Sequence, residues 1–426
     1  MLSMLGQVMT GVADSVMVGW TGATPLAASS FANIFFSIPL FFGIGVSYAI
    51  TPLVAEGAGA KDLTKIIEIL RHGFIINLLV AILLVGLIFL VEPFMFSMGQ
   101  PEDVVALGIP YLSIIGVSII PTMIFQTYRQ FAEGLEKTRM AMIIVVGSNL
   151  LNIALNYILI FGKYGFPEMG LNGAGWATLI SRVVMAISMM LYVYYGKRFI
   201  AFRKGFSFGS YSKSLISKML HIGLPAGSQF IFEAGAFGFS ALMMGWLGTT
   251  ALAAHQIAIN LATISYMTTS GLGAAATIRV GNFLGQRDKR KLQDSAFTMI
   301  WMAVALMAAW ALLFIFGRHL LPSLYIEDAA VIELTAVLLI IAAFFQLSDG
   351  IQVVCAGALR GLQDVKVPSI LIFVAYWVIA LPLGYWLAFP LGLGATGIWI
   401  GLLIGLTLTA SAMVVRFWRL SRNLGG

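Results

Sequence analysis

Three carboxylates, Asp14, Glu233 and Asp349, lie inside long runs of apolar residues. An ionised carboxylate at mid-bilayer costs about 3 kcal/mol even on a lenient insertion scale, and residues of this kind by default mark an ion or proton pathway. Glu233 is preceded by Gln229 at i−4, and Asp349 has Gln346 at i−3 and Gln352 at i+3. Both acids therefore stand on polar stripes of otherwise apolar helices. Two carboxylates from different helices that face one cavity can share a cation or a proton, because close like charges disfavour double ionisation. Asp14 is surrounded by Val12, Ala13, Val16 and Met17, with no basic residue within two turns of its own helix. A proton, a cation or a partner from another helix must neutralise it. In the same half Asn149, Asn152 and Asn156 are spaced three and four apart, which aligns three amides on one helix stripe. Amide oxygens suit hard cations and amide hydrogens suit a carboxylate; the alternative use of such a stripe is interhelical hydrogen bonding, about 0.6–2 kcal/mol per contact.

The elements that carry these residues are membrane spans. Of 426 residues 60% are hydrophobic and 10% charged, against roughly 25% charged in an average soluble domain, so what remains cannot cover an aqueous surface. Runs long enough to cross a hydrocarbon core of about 30 Å fall near 1–20, 31–54, 66–91, 104–127, 139–162, 172–196, 220–246, 252–278, 293–316, 330–356, 366–389 and 394–415. The expected fold is an all-α membrane protein of twelve transmembrane helices. If the even-numbered connections are cytoplasmic, every Lys and Arg except Lys163, Arg318 and Arg182 lies in them, within two helical turns of them, or in the C-terminal tail, which places both termini in the cytoplasm. The net charge of +7 is thus topological, and its scatter over short loops argues against a nucleic-acid partner. Lone Cys355 and four dispersed histidines, His72, His221, His255 and His319, make neither a disulfide nor a histidine–cysteine metal site.

The chain repeats itself. Gly19-Trp20-Thr21-Gly22 before Leu26-Ala27-Ala28 matches Gly245-Trp246-Leu247-Gly248 before Leu252-Ala253-Ala254 at an offset of 226, and the same offset pairs Thr51, Gly59 and Asp62 with Thr277, Gly285 and Asp288. Gly134-Leu135 then pairs with Gly361-Leu362, and Gly170-Leu171 with Gly392-Leu393. Each repeat holds six spans, an even number, so the repeats run parallel about an axis along the membrane normal, with a central cavity expected at their interface. The expected organisation is an N-terminal six-helix bundle over 1–196, a basic cytoplasmic linker over 197–219, a second bundle over 220–415 and a tail over 416–426. The acids are not duplicated: Glu233 aligns with Gln7, Asp14 with Ser240 and Asp349 with Thr122. The offset also makes the first helix short at its cytoplasmic end, since Gly223-Leu224-Pro225 has no counterpart, and residues 1–13 lack the basic region and cleavage site of a signal peptide.

Asp14-Ser15-Val16-Met17-Val18-Gly19, Gly223-Leu224-Pro225 with Glu233, Gln346-Leu347-Ser348-Asp349, Leu359-Arg360-Gly361 and Tyr376-Trp377 resemble the multidrug and toxic compound extrusion (MATE) family over essentially the whole chain. The acidic pair of the second half resembles its NorM-like rather than its DinF-like branch. The resemblance implies two six-helix bundles facing a shared cavity, alternating access, and expulsion of lipophilic cations or other drugs in exchange for Na⁺ or H⁺, with no cofactor beyond that coupling ion. It favours Asp14, Asn152 and Asn156, with Thr178 of the sixth helix, as a cation or proton site of the first half. Glu233 and Asp349 become a cation- and substrate-binding pair in the second half, where Na⁺ is the candidate metal. The expected setting is the bacterial inner membrane, the expected partners are small drugs and the bilayer, and the expected working unit is a monomer. A lipid-linked oligosaccharide flippase shares the twelve-helix plan, but its cavity should be cationic, whereas the central candidates here are acidic apart from Arg182. Enzymatic readings fit poorly: no Walker A loop is present and no GxGD motif surrounds Asp14 or Asp349.

The remaining conspicuous residues have plain uses. The 21 Met and 12% aromatic residues can line an adaptable drug cavity but more often face lipid or pack between helices. Pro39, Pro121 and Pro382 interrupt spans, as hinges or static kinks. His255 reads as a satisfied polar residue, and Trp20, Trp246 and Trp399 fall near span ends, where they suit the interfacial aromatic belt.

Overall fold

The computed structural model describes residues 11, 14–203 and 211–424. The start of the first span with Gln7, linker residues 204–210 with Lys204, and the last two residues lie outside the described ones. The chain is all-helical among the described residues: α1 (14–19 in its described part), α2 (Ala23–Gly59), α3 (Leu63–Val91), α4 (Glu102–Gly134), α5 (Arg139–Ile160), α6 (Gly170–Tyr195), α7 (Lys213–Trp246), α8 (Thr249–Gln286), α9 (Lys289–Phe316), α10 (Ala329–Gly361), α11 (Lys366–Ala388) and α12 (Gly394–Asn423). Among the described residues nine of these are long and apolar enough to cross a membrane, and α7 and α8 fall short of that hydropathy. Both carry the polar residues discussed below. The apolar character runs all round the helices: on α3, Leu79, Ile82, Leu83, Leu87 and Leu90 are exposed while Ile69, Leu70, Ala81 and Ile88 are buried. Only lipid can solvate such an outer face. The chain is an integral, multi-pass membrane protein.

Two compact units divide inside α7, between Gly227 and Ser228. The first unit is centred on Ala28, Ala32, Val105, Leu112, Ile119 and Met123, with Met17 and Val18 of α1 packed among them. In the second, α10 runs through the middle of α8, α9 and α12, and Ala254, Ala303, Leu339, Cys355, Trp399 and Phe417 lie within one core. The two halves repeat their joints as well as their sequence. Gly22 and Gly248, at φ 132 and 110, open α2 and α8 in a conformation closed to other residues. Lys61 and Arg287, at φ 58 and 59, precede Asp62 and Asp288. Each aspartate caps the next helix by accepting a backbone N–H three residues on, at 3.0 Å in both cases. Thr51 donates to Gln130 and Thr277 to the carbonyl of Gly357.

Proline explains most interruptions, because its ring displaces the carbonyl four residues earlier. α2 breaks at Tyr48–Ala49, four residues before Pro52, and α4 breaks at Ser118, just before Pro121. In α11 the segment Val374–Ala380 widens to a π-helix ahead of Pro382. Pro39 interrupts nothing, since Ala23–Ser47 is continuous through it. The helix after the linker starts at Lys213, inside the stretch 197–219. Ser212 accepts the backbone N–H of Leu215 at 3.3 Å through its hydroxyl and starts α7 at Lys213. That start is tied to the first unit, where the Ser212 N–H donates to Nε2 of His72 at 2.9 Å and Glu56 bridges Lys65 at 3.0 Å and Lys218 at 3.9 Å. Deeper in the same unit α2 and α7 cross backbone to backbone: a Cβ on Gly45 would lie 2.5 Å from Cα of Gly227, and one on Gly223 would lie 2.7 Å from the carbonyl oxygen of Val46.

Candidate functional site

In the first unit the four candidate residues form one chain of hydrogen bonds. Asn156 of α5 donates through Nδ2 to the carboxylate of Asp14 on α1, and the same amide approaches Oδ1 of Asn152 at 3.3 Å. Asn152 in turn reaches Thr178 Oγ1 on α6 at 3.4 Å. The spacing of four on α5 stacks the two amides one turn apart, and both are buried, so three helices meet on them. Asn149 stands apart, its Nδ2 without a partner among the described residues. The buried Oδ1 of Asn156 likewise has no partner among the described residues, which leaves an oxygen beside a carboxylate, a donor set that fits a hard cation.

Besides Asn156, a basic residue on another helix, Arg182, also bears on Asp14. Its guanidinium, on α6, lies within electrostatic range of both Asp14 and Tyr111. It is held by Ser118 Oγ at 2.6 Å, at the break in α4, and sits over the Phe36 ring at 4.9 Å. Tyr111 is hydrogen-bonded to Asn33. Asn33 and Tyr111 carry no sequence signal that sets them apart from packing residues. Arg182 does carry one, as a basic residue near the middle of a span.

In the second unit Glu233 of α7 accepts from Gln229 at 3.4 Å and from Gln352 of α10 at 3.2 Å, and Tyr376 of α11 donates to Gln352 Oε1 at 3.5 Å. Asp349, one turn before Gln352 on α10, is buried and within electrostatic range of Glu233. Gln346, a further turn back, is fully buried, and neither amide atom has a partner among the described residues. Two carboxylates and an orphaned amide oxygen again fit a hard cation such as Na⁺. The π-helical segment of α11 presents Tyr376 to this group and Trp377 to the backbone of α7, where its indole N–H donates to the carbonyl of Phe232 at 3.0 Å. π-bulges are frequent at functional sites because they re-aim side chains.

His255 is satisfied, as expected: its Nδ1 accepts the indole N–H of Trp399 at 3.2 Å. The same contact corrects the reading of Trp399, which is fully buried in the second core, whereas Trp20 and Trp246 are more than half exposed. Position along the span predicted the interface for all three, but Trp399 faces α8 and Phe345, not lipid.

The MatE family model matches residues 1–158 and 225–386. The chain is 34% identical to a probable multidrug resistance protein NorM of Bradyrhizobium diazoefficiens, over 100% of this chain and 92% of that protein. It is 35% identical to the multidrug resistance protein NorM of Photobacterium profundum, over 98% of this chain and 92% of that protein. A crystal structure of MATE in the bent conformation superposes with a TM-score of 0.92 at 21% identity, covering 99% of this chain and 93% of that one.

Proposed function

The chain belongs to the MATE family, and we propose that it is a multidrug efflux transporter that expels lipophilic, chiefly cationic compounds in exchange for Na⁺ or H⁺ by alternating access. The observation that carries the coupling half of this reading is the hydrogen-bonded chain Asp14–Asn156–Asn152–Thr178, which spans three helices within one apolar unit. An acid so placed has no structural use that an apolar residue would not serve more cheaply, because an unneutralised charge in a low-dielectric bundle is costly. Its protonation or cation occupancy changes what Asn156 and Arg182 can bond, so an ion there biases how α1, α5 and α6 pack.

In the second unit Glu233 and Asp349 would hold the coupling cation or the cationic drug, with the orphaned oxygen of Gln346 one turn before Asp349. Exchange requires that ion and drug exclude one another or favour opposite states, since a ligand that binds both states equally shifts nothing. A cation seated between the two carboxylates neutralises the attraction that a cationic drug would use, and a seated drug displaces the cation. Gln229 and Gln352 orient Glu233, and Tyr376 fixes Gln352, so the acid is held ready whichever occupant is present.

The placement of basic residues supports cytoplasmic termini in the bacterial inner membrane, and a complete set of sites within one chain supports a monomer. Everted membrane vesicles test the function. Loading their lumen with Na⁺, or acidifying it, should drive accumulation of a fluorescent lipophilic cation, and dissipating the gradient should release it. Accumulation indifferent to both gradients would overturn the antiport reading.

A further inference from the structure

The corner between α4 and α5 holds a cavity of ≈ 610 Å³ lined by Glu136, Lys137, Thr138, Arg139, Ile143, Tyr192, Lys197 and Arg198, among others. Among the described residues none of Lys137, Arg139, Lys197 and Arg198 is in an ion pair. Their arrangement is unfavourable as it stands. Lys137 and Arg139 flank the N-cap of α5, where the helix dipole already presents positive potential. Thr138 at the cap makes no side-chain bond to the free N–H groups of the first turn. An anion in the cavity would relieve both.

The second half shows the same corner neutralised from within. Glu136 and Gln363 adopt the same left-handed conformation, at φ 60 and 64. One residue later Lys137 is answered by Asp364, whose two carboxylate oxygens accept from Arg416 of α12 at 2.5 and 3.0 Å. The duplicated joint thus carries an acid paired to the neighbouring helix in one half and unpaired cations in the other. Four cations beside a single carboxylate, Glu136, with no ion pair to any of them among the described residues, at a joint whose copy is paired internally, are the mark of an external anion.

We propose that this cavity binds the phosphate of an anionic phospholipid headgroup. The source is a lipid and not free phosphate because the lining continues onto an apolar outer face. Ile143 is 46% exposed at the cavity, followed along α5 by exposed Val146 and Leu150, and across it on α6 by Leu191. Headgroup phosphate would meet the cations and the α5 N-terminus while the acyl chains lie along that face. Basic pockets between helix ends on the cytoplasmic side are suited to such headgroups. Only the assignment of the leaflet rests on the proposed orientation.

Purified full-length protein in neutral detergent tests this by titration with short-chain phosphatidylglycerol, phosphatidylcholine or inorganic phosphate, read by native mass spectrometry and thermal unfolding. Phosphatidylglycerol should bind and stabilise, and Lys137→Gln with Arg139→Gln should weaken it roughly thirty-fold, as the loss of two surface cations implies. Lys197→Gln with Arg198→Gln should act in the same direction. Arg290→Gln with Lys291→Gln, an equal charge change at the α8–α9 corner, should leave affinity unchanged. Equal loss in that control would overturn the site in favour of diffuse charge. Equal stabilisation by inorganic phosphate would overturn the lipid assignment. Neither readout depends on transport, so failure here is distinct from failure of the antiport reading.

Discussion

Gly45→Ala perturbs the crossing of α2 and α7 at its tightest point. The added Cβ would stand 2.5 Å from Cα of Gly227 and 2.8 Å from both the amide nitrogen of Gly227 and the carbonyl oxygen of Ala226. All three are backbone atoms, so no rotamer change can make room. Ordinary contact begins near 3.4 Å, and the helices must part by about 1 Å or the backbone must bend, a change of the kind that costs about 1–3 kcal/mol in packed cores. For a unit of some 200 residues that corresponds to a fall in Tm of roughly 2–12 °C. The functional consequence is larger than the stability one, because Glu233 follows Gly227 on α7 by less than two turns. A displacement of about 1 Å at a positioned group is enough to cost on the order of a hundredfold in a reaction rate, and coupling should suffer comparably. Gly238→Ala supplies the control on the same helix, since a Cβ there meets nothing within 4 Å. The assay is thermal unfolding of purified protein beside gradient-driven uptake in vesicles. Gly45→Ala should lose both stability and coupling, and Gly238→Ala neither. If Gly45→Ala behaved like the control, the close backbone approach would be wrong and the argument that α7 is anchored by it would fall.

Asp14→Asn should leave the protein folded, because an amide can keep the hydrogen bond to Asn156, while gradient-driven efflux is lost; normal transport by the folded variant would remove Asp14 from the coupling site. Drug affinity measured by calorimetry should fall as Na⁺ rises at constant ionic strength, and Na⁺ affinity should fall by the same factor as drug saturates, since linkage is reciprocal. Glu233→Gln or Asp349→Asn should erase most of that antagonism, and equal inhibition by K⁺ would reduce it to charge screening. Asp288, at the α9 N-terminus, has its carboxyl held below the ordinary value of 3.8 by the Lys291 side chain and backbone N–H. The stability it contributes is complete above pH 3.8 and is lost as pH falls through the lower folded value. Thermal scans of wild type and Asp288→Asn should therefore differ at pH 5 and converge in stronger acid, and a difference that grew with acid would contradict the cap.

The fold was readable because membrane spans and duplicated joints leave dense signals. Apolar runs set the twelve helices, and the 226-residue offset paired Asp62 with Asp288, which the structure shows capping their helices at equal distance. Helix ends were less legible. The start of α7 depends on a single hydroxyl, that of Ser212, and on an anchor at His72 far away in sequence. In the site, the acids and the amide stripe stood out since each is polar where neighbours are apolar. The π-helical turn that aims Tyr376 did not, because it is a local widening of the helix ahead of Pro382, and the period of the apolar residues does not reveal it. Trp399 misled for a related reason: depth along a span is visible in sequence, but which way a residue faces is set by the neighbouring helix.

The asymmetry between the halves follows from how a polar side chain can be satisfied inside a bundle. A hydroxyl can close on its own helix by donating to the carbonyl three or four residues back, at little cost and with no need of a neighbour. α8 uses this repeatedly, through Ser265, Ser270 and Thr277. The positions aligned with two of the acids do the same: Ser240, opposite Asp14, donates to the carbonyl of Phe237 at 2.8 Å, and Thr122, opposite Asp349, donates to that of Ser118 at 2.8 Å. A carboxylate has no such recourse, because it only accepts and helix N–H groups are already taken. Asp14 therefore draws on Asn156 and Arg182 on other helices, and Glu233 on the side chain of Gln229 on its own helix and of Gln352 on another. Replacing a self-closing hydroxyl by an acid converts a position indifferent to its neighbours into one whose free energy depends on how they are arranged and on whether an ion is present. One such conversion near the start of the first half and one in the second, joined there by Glu233 where the first half has Gln7, would give the duplicated scaffold two ion-sensitive centres of different composition, which is what an exchanger needs if its two lobes are to answer to different ligands.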